Sequence, residues 1–471
     1  MQDINKLRND SGIPKGFYKK LVKIALPIAV QGIISSSLGL IDNIMVGSLG
    51  EEALAAVGIA MQIFFVQYLF VFGFVSGCGT FVAQFYGAGD KKGVHKTLGF
   101  AITVSLLIGL IFFVAAFFFP EKVISLYTDD ISVVPLARTY MRTGSWTILF
   151  LGFSIPIEAS LRGTQQTTLP LYVSSFVFSL NTILNYFLIY GKFGFPHLGV
   201  YGAAIATVIA RFLEMFILLI VIRKGNYLTG KLTEYFDWSK IFLRRVLNNA
   251  KSTTGNELFW SLGQTVYVAA FARLGVTAYA SFQAANNINN VFIFAGYSLG
   301  DATLIILGEY LGRRENELAE KIAKKVLKIG TIIGIISAFG LYFIGRWMLQ
   351  LFELTALGRI YSERLLLVMA IIMAIKVYCT ILVIGILRAG GDTKFAMFAE
   401  CGAVWLIGVP LAFFGALTLQ LPIYLAYALI GSYNIVEAAI LTQRFISKKW
   451  NKTMIVGLES EDIKLNENTL S

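Results

Sequence analysis

Long apolar segments recur along the whole chain, and short polar stretches separate them. Twelve of the segments reach the roughly 20 residues that a helix needs to cross the hydrocarbon core of a bilayer. They lie near residues 18–46, 53–79, 94–119, 132–157, 167–190, 199–222, 246–272, 278–308, 320–345, 360–387, 395–418 and 423–446. They are too long, and alternate too little, to be strands of a membrane barrel. The pattern predicts an all-α integral membrane protein with twelve transmembrane helices.

The composition and the placement of charge agree with a membrane protein. Only 14% of the residues are charged, against about 25% in soluble domains. The net charge of +12 comes from bases before the first segment, after the last one, and in every second long loop. The opposite loops carry acids such as Glu51, Glu52, Asp129 and Asp130. This positive-inside bias predicts a multi-pass protein of the cell (inner) membrane with both termini cytoplasmic, and a basic face that meets lipid headgroups rather than nucleic acid.

The second half of the chain repeats motifs of the first half. The stretch 85–90 corresponds to 309–314, and 161–167 corresponds to 387–393, with an offset of about 225 residues. Six segments per half keep the same orientation, which predicts two six-helix lobes related by a parallel pseudo-two-fold repeat, a plan found in transporters. The predicted division is a cytoplasmic segment 1–16, an N-terminal lobe 17–224, a cytoplasmic linker 225–242, a C-terminal lobe 243–447 and a disordered cytoplasmic tail 448–471.

Asp42 places a carboxylate inside the first apolar segment, where a charge costs about 2.5–3.5 kcal/mol at the centre of the bilayer. Asp42 and Asn185 each lie about five residues from the outer end of their segments, Asn181 lies one turn deeper, and Thr207 lies about eight residues into segment 6. These residues are predicted to share one layer as a cation-coupling site, which binds a proton or holds Na⁺ through Asp42 and Asn181. The alternative is that Asp42 is solvated at the outer interface and that the asparagines join helices.

Several motifs in order resemble the multidrug and toxic compound extrusion (MATE) family over about residues 17–447. They are Ile41 to Gly47, Leu161-Arg162-Gly163, Asn181 to Asn185, Gly199 to Thr207, Glu257, and Leu387 to Lys394. The resemblance implies twelve helices in two lobes, export of mostly cationic amphipathic compounds against sodium or proton entry, and a cation site at the Asp42 group. Relatives with a well-formed sodium site often have an acid at the position of Asn185, so proton coupling gains weight here.

Glu257 and Lys376 are the second pair of candidates. The family often has an acid at the Glu257 position that is paired with another acid in segment 10, but this chain has Lys376 in that part of segment 10. Lys376 lies too deep to reach water easily, and Glu257 lies at a similar depth. The two are predicted to form an ion pair that either fixes helix packing or opens when substrate or a proton competes for one member.

The remaining polar and aromatic residues within the segments are weaker candidates. Arg211 and Glu214 are spaced for an ion pair on one helix, as are Glu158 and Arg162. The residues predicted to line a central cavity are Gln31, Arg211, Glu214, Trp260, Tyr267 and Asp301.

Together these features predict a secondary active efflux transporter that exchanges small organic, cationic amphipathic compounds for Na⁺ or H⁺. No Walker motif and no interfacial cluster of His, Asp or Ser is present, so ATP, enzymatic activity and cofactors are not expected. The chain is expected to act as a monomer. The alternative is a flippase for a lipid-linked anionic precursor, which would place several unpaired basic residues in a central cavity.

Overall fold

The computed structural model of the protein describes residues 13–224 and 227–460, without the side chains of Leu38 and Leu40. This part of the chain is all-helical, as the sequence predicts. Most of the predicted segment 1–16 lies outside the described residues.

The N-terminal half forms six long helical segments at the predicted places. Its helices are α1 Phe17–Gly47, α2 Glu51–Gly87, α3 Lys91–Phe118, α4 Pro120–Ile124, α5 Val134–Gly144, α6 Trp146–Gly163, α7 Thr168–Tyr190, α8 Gly199–Arg223 and α9 Leu232–Tyr235. The fourth predicted segment is bent by 43° between α5 and α6. Local chemistry explains two boundaries: Asp90 caps α3 by accepting from the Gly93 N–H at 2.9 Å, and Gly191 ends α7 in the left-handed conformation.

The C-terminal half repeats the plan with more irregular helices. Its helices are α10 Lys240–Ala272, α11 Val276–Gly312, α12 Asn316–Met348, α13 Ala356–Thr380, α14 Thr393–Ala403, α15 Val409–Phe413, α16 Ile423–Gly431 and α17 Tyr433–Ile446. α13 continues as a π-helix over Ile381–Leu387, and two further π-helical stretches flank α15. α15 carries Pro410, which has no N–H to donate to the preceding turn.

Eleven of the twelve predicted segments are long and apolar enough to span a membrane, when the bent pair α5–α6 counts as one. The twelfth, α10, is a 33-residue helix with a more polar sequence. Its polarity comes from residues that the C-terminal half uses internally, as described below.

The described residues divide into two compact units. The C-terminal unit comprises 13–29, 83–88 and 251–457, and the N-terminal unit comprises 30–82, 89–250 and 458–460. The start of α1 and the end of α2 therefore pack with the C-terminal helices, whereas the predicted lobe boundary groups them with the first half. A Cβ on Gly87 would lie 2.1 Å from the Glu309 carbonyl oxygen, and one on Gly312 would lie 1.9 Å from the Gln84 oxygen. Glycine in both repeated motifs thus allows two helix ends to touch backbone to backbone.

The tail after α17 is ordered through residue 460, and the prediction of disorder does not hold there. Trp450 is fully buried, stacks on Phe445 with ring centroids 5.8 Å apart, and donates its indole N–H to the Phe445 carbonyl at 3.2 Å. The Met454 N–H donates to Gln84 Oε1 at 2.6 Å. A polar average composition hid a few apolar residues that each find a buried site. Residues 461–471 lie outside the described residues.

Candidate functional site

The structure brings together the four residues of the predicted cation site, inside the N-terminal unit. Asn185 Nδ2 donates to Asp42 Oδ1 at 2.8 Å. The Asn181 amide is assigned with Nδ2 facing Asp42, since it then donates to Asp42 Oδ2 at 3.0 Å and its oxygen accepts from the Thr207 N–H at 3.3 Å. Three helices, α1, α7 and α8, therefore converge on one carboxylate.

Helix geometry explains why these side chains meet. Asn181 and Asn185 are one turn apart on α7 and share a face. α8 approaches α7 closely because Gly202 has no side chain: a Cβ there would lie 2.5 Å from the Leu188 carbonyl oxygen. Asn185 and Asn181 are only 2% and 7% exposed, and Asp42 is half-buried. The carboxylate is thus held by helix packing.

The site presents donors in this structure but can also present acceptors. Both amides direct N–H groups at Asp42, which suits an ionised carboxylate. Asn185 Oδ1 is buried and has no hydrogen-bond partner. A half-turn of either amide would turn its oxygen towards Asp42, where it could accept from a protonated carboxyl group or bind Na⁺. The donor set of one carboxylate, two amides and a hydroxyl fits one monovalent cation. Among the described residues, no group of three or more His, Cys, Asp and Glu could hold a metal ion.

Two further residues act on the Asp42 group. The Tyr140 phenol on α5 lies beside Asp42 and Thr207 and is 3% exposed. Sequence analysis missed it because depth cannot be counted along the bent fourth segment. Arg211 on α8 interacts electrostatically with Asp42 and pairs with Glu214 at 2.8 Å, which confirms the predicted pair.

A second polar network of the N-terminal unit surrounds Arg162. Gln31 Nε2 donates to Ser174 Oγ at 2.7 Å, and Arg162 donates to Gln31 Oε1 at 3.0 Å. Arg162 also pairs with Glu158 at 3.3 Å, which confirms that predicted pair, and Ser174 donates to Glu158 at 3.0 Å. Gln31, a predicted cavity residue, is 7% exposed and is held in this network.

The predicted ion pair between Glu257 and Lys376 is wrong. Arg388 Nη2 donates to Glu257 Oε1 at 2.8 Å, and the two side chains are 3% and 14% exposed. This pairing repeats that of the N-terminal unit, since Arg388 follows Arg162 by 226 residues and Glu257 follows Gln31 by 226. Sequence analysis had placed Arg388 in a loop, but it follows the π-helical end of α13.

Lys376 instead faces two other acids. It forms no ion pair among the described residues, but it interacts electrostatically with Glu437 and Glu400. Glu437, on α17, is 4% exposed. Sequence analysis did not select it, although the criterion that found Asp42, a charge inside an apolar segment, applies to it equally.

The other candidate residues lie in the C-terminal unit. Tyr267 is buried, donates to Gln264 Oε1, and lines a small cavity beside Lys376. Trp260 packs half-buried against the core, and Asp301 is half-buried on α11. A role for these two in a substrate cavity stays a prediction.

Comparison with known proteins identifies the family. The MatE family model matches twice, over residues 27–187 and 254–414. The chain is 25% identical to the uncharacterized transporter YisQ of Bacillus subtilis over 91% of this chain and 94% of that protein. It is 24% identical to the probable multidrug resistance protein NorM of Thermotoga maritima over 94% and 95%. A MOP superfamily transporter from Pyrococcus furiosus has the same fold, with a TM-score of 0.83, 19% identity, and coverage of 95% and 98%. The chain therefore belongs to the MATE family of multi-pass membrane transporters, whose twelve helices form two lobes.

Proposed function

We propose that this protein is a secondary active exporter of the cell membrane, with both termini cytoplasmic. It exports small organic compounds, cationic and amphipathic in character, in exchange for entering H⁺ or Na⁺. The observation that carries the proposal is the Asp42 carboxylate, which is held by two buried amides whose oxygens are free to turn towards it. Family membership and the multidrug resistance name of the Thermotoga relative support the substrate class.

The coupling step follows from charge. A proton or Na⁺ at Asp42 neutralises the carboxylate, so the amide donors of Asn181 and Asn185 lose their ionised acceptor and reorient. α1 carries Asp42 and also contains Pro27, whose missing N–H weakens the helix one membrane half away. Cation entry thereby biases the position of α1 between two states, and the substrate is released in the state that the cation favours.

The flippase alternative loses its supporting feature. It requires several unpaired basic residues for an anionic substrate, yet the deep arginines of the described residues have carboxylate partners: Arg211 with Glu214, Arg162 with Glu158, and Arg388 with Glu257. Lys376 faces two glutamates. The charge pattern favours a cationic substrate.

Transport by purified protein in proteoliposomes tests the proposal. A proton gradient and then a sodium gradient are imposed, with a panel of cationic and anionic compounds. We expect Asp42→Asn to abolish gradient-driven transport, while Asp129→Asn, the same change in an exposed loop, leaves it intact. Asn185→Asp, which adds a second acid, should shift the preference towards sodium. Unchanged transport by Asp42→Asn at equal reconstitution would refute the coupling role.

A further inference from the structure

A second group of buried charges lies within the C-terminal unit, away from the Asp42 site. It consists of Lys376 on α13, Glu400 on α14, Glu437 on α17 and Asn256 on α10, which we call the Lys376 cluster. Asn256 Nδ2 donates to Glu400 Oε2 at 2.7 Å, and Lys376 interacts electrostatically with both glutamates. Four helices thus contribute to one polar centre.

The charges of this cluster do not balance. Glu257 nearby is already neutralised by Arg388 at 2.8 Å. Lys376 is then the cation that remains for the two carboxylates of Glu400 and Glu437. With all groups ionised, the cluster carries one excess negative charge in a site with little water, which is strongly unfavourable.

Two unsatisfied groups show that something is missing from the cluster. Glu437 is 4% exposed and accepts no hydrogen bond from any described residue. Asn256 Oδ1 is buried without a partner while its amide nitrogen is engaged. Buried acceptors normally have donors. A bound proton would convert one carboxylate oxygen into a donor and would remove the excess charge in the same step.

The surroundings favour a proton over a larger cation. The Lys376 ammonium occupies the field of both carboxylates and repels a second cation. The adjacent cavity is small and is walled by Tyr267, Tyr427 and Tyr433, so it does not admit a drug-sized molecule. The titratable and charged groups around the cluster are Glu257, Tyr297, Lys376, Cys379, Arg388, Glu400, Cys401, Tyr433 and Glu437.

The repeat shows that the acids are not required by the helical scaffold. The residues 226 positions before Glu257, Glu400 and Glu437 are Gln31, Ser174 and Arg211. The N-terminal unit therefore builds the same helices with neutral or basic residues at these positions. The acids of the C-terminal unit serve a chemistry of that unit alone.

We propose that the Lys376 cluster binds one proton, shared by Glu437 and Glu400, as a site separate from Asp42. Proton binding here does not depend on the Asp42 role. One consequence does rest on the proposed antiport: cations at both sites would bring the exchange to two charges per cycle.

Charge balance predicts a different proton count for each variant. At neutral pH the cluster should hold one proton in the wild type and none in Glu437→Gln or Glu400→Gln, because one carboxylate then balances Lys376. Lys376→Met should hold two protons, and Glu437→Gln combined with Lys376→Met should return to one. The counts are measured on full-length protein in detergent, by proton uptake after a pH jump and by the infrared C=O band of protonated carboxyl groups.

The controls separate this proposal from the first one. Glu353→Gln, the same change at an exposed position, should leave the neutral-pH band unchanged. Asp42→Asn should leave the Lys376 cluster's band intact, whatever it does to transport. The two single glutamine variants guard against a folding failure of either one. The proposal is overturned by a wild-type band that survives in both of them, or by a count that does not rise in Lys376→Met.

Discussion

Removing one partner of the Glu257–Arg388 ion pair should destabilise the C-terminal unit by about 3–5 kcal/mol, the usual cost of leaving a buried charge unpaired. The geometry supports this magnitude: the N–O distance is 2.8 Å, and the side chains are 14% and 3% exposed. Two unit charges about 4 Å apart attract by about 4 kcal/mol at an effective dielectric constant of about 20. The residual exposure of Glu257 places its truncation towards the lower end of the range.

A double-mutant cycle measures the coupling. Glu257→Gln and Arg388→Met should each lower the unfolding temperature by roughly 6–20 °C, at about 2–4 °C per kcal/mol for a unit of this size. The double variant should be less destabilised than the sum of the two single variants, by about 2–3 kcal/mol. Thermal unfolding in detergent, followed by intrinsic tryptophan fluorescence, gives the four values. Additivity within about 0.5 kcal/mol would refute the reasoning.

The N-terminal unit suggests a rescue. Arg162 pairs with Glu158 four residues earlier, and the residue four before Arg388 is the half-buried Ile384. Ile384→Glu in the Glu257→Gln background moves the carboxylate to the N-terminal arrangement and should recover part of the lost stability. Ile384→Gln in the same background is the matched control. Equal unfolding temperatures for the two would show that Arg388 does not accept a carboxylate from its own helix.

Two further variants test packing. Gly87→Ala should destabilise by about 1–3 kcal/mol, because its Cβ would meet the Glu309 carbonyl oxygen at 2.1 Å, whereas Gly79→Ala on the same helix has open space and should stabilise by about 0.5–1 kcal/mol, both measured by thermal unfolding. Trp450→Ala should cost about 3–5 kcal/mol in the same assay because the ring is fully buried, and Trp450→Phe should cost less because it keeps the stacking on Phe445; a silent Trp450→Ala would mean that the tail is not anchored.

Much of the fold could be predicted because bilayer thickness sets helix length. Segments as different as 167–190 and 199–222 were found within a residue or two of α7 and α8 from apolar length alone. Where such helices are straight, depth along the chain becomes height in the membrane. That is why Asp42, Asn181 and Asn185 could be placed in one layer before any contact was known.

The same counting fails where helices are irregular or where lateral neighbours decide. Depth placed Glu257 level with Lys376, but depth does not say which helix face a side chain leaves. The π-helix Ile381–Leu387 carries more residues per turn, so positions counted with an α-helical period are misplaced beyond it, and Arg388 lies just there. Tyr140 escaped notice for the related reason that its segment is bent by 43°.

The repeat then explains how one scaffold carries two chemistries. Each unit keeps an arginine from the repeated Leu-Arg motif and satisfies it across helices, Arg162 with Gln31 and Arg388 with Glu257. In the N-terminal unit the partner across helices is neutral, so the acid of α1 can sit elsewhere, at Asp42 among amides. In the C-terminal unit the arginine consumes the Glu257 charge, and Lys376 is left to balance two other glutamates. A carboxylate that titrates against amides and a carboxylate pair that titrates against an ammonium respond differently to a neighbouring positive charge. The two units are therefore expected to differ in which cation they release when a cationic substrate approaches, and the proton counts of the Lys376 variants measure that difference directly.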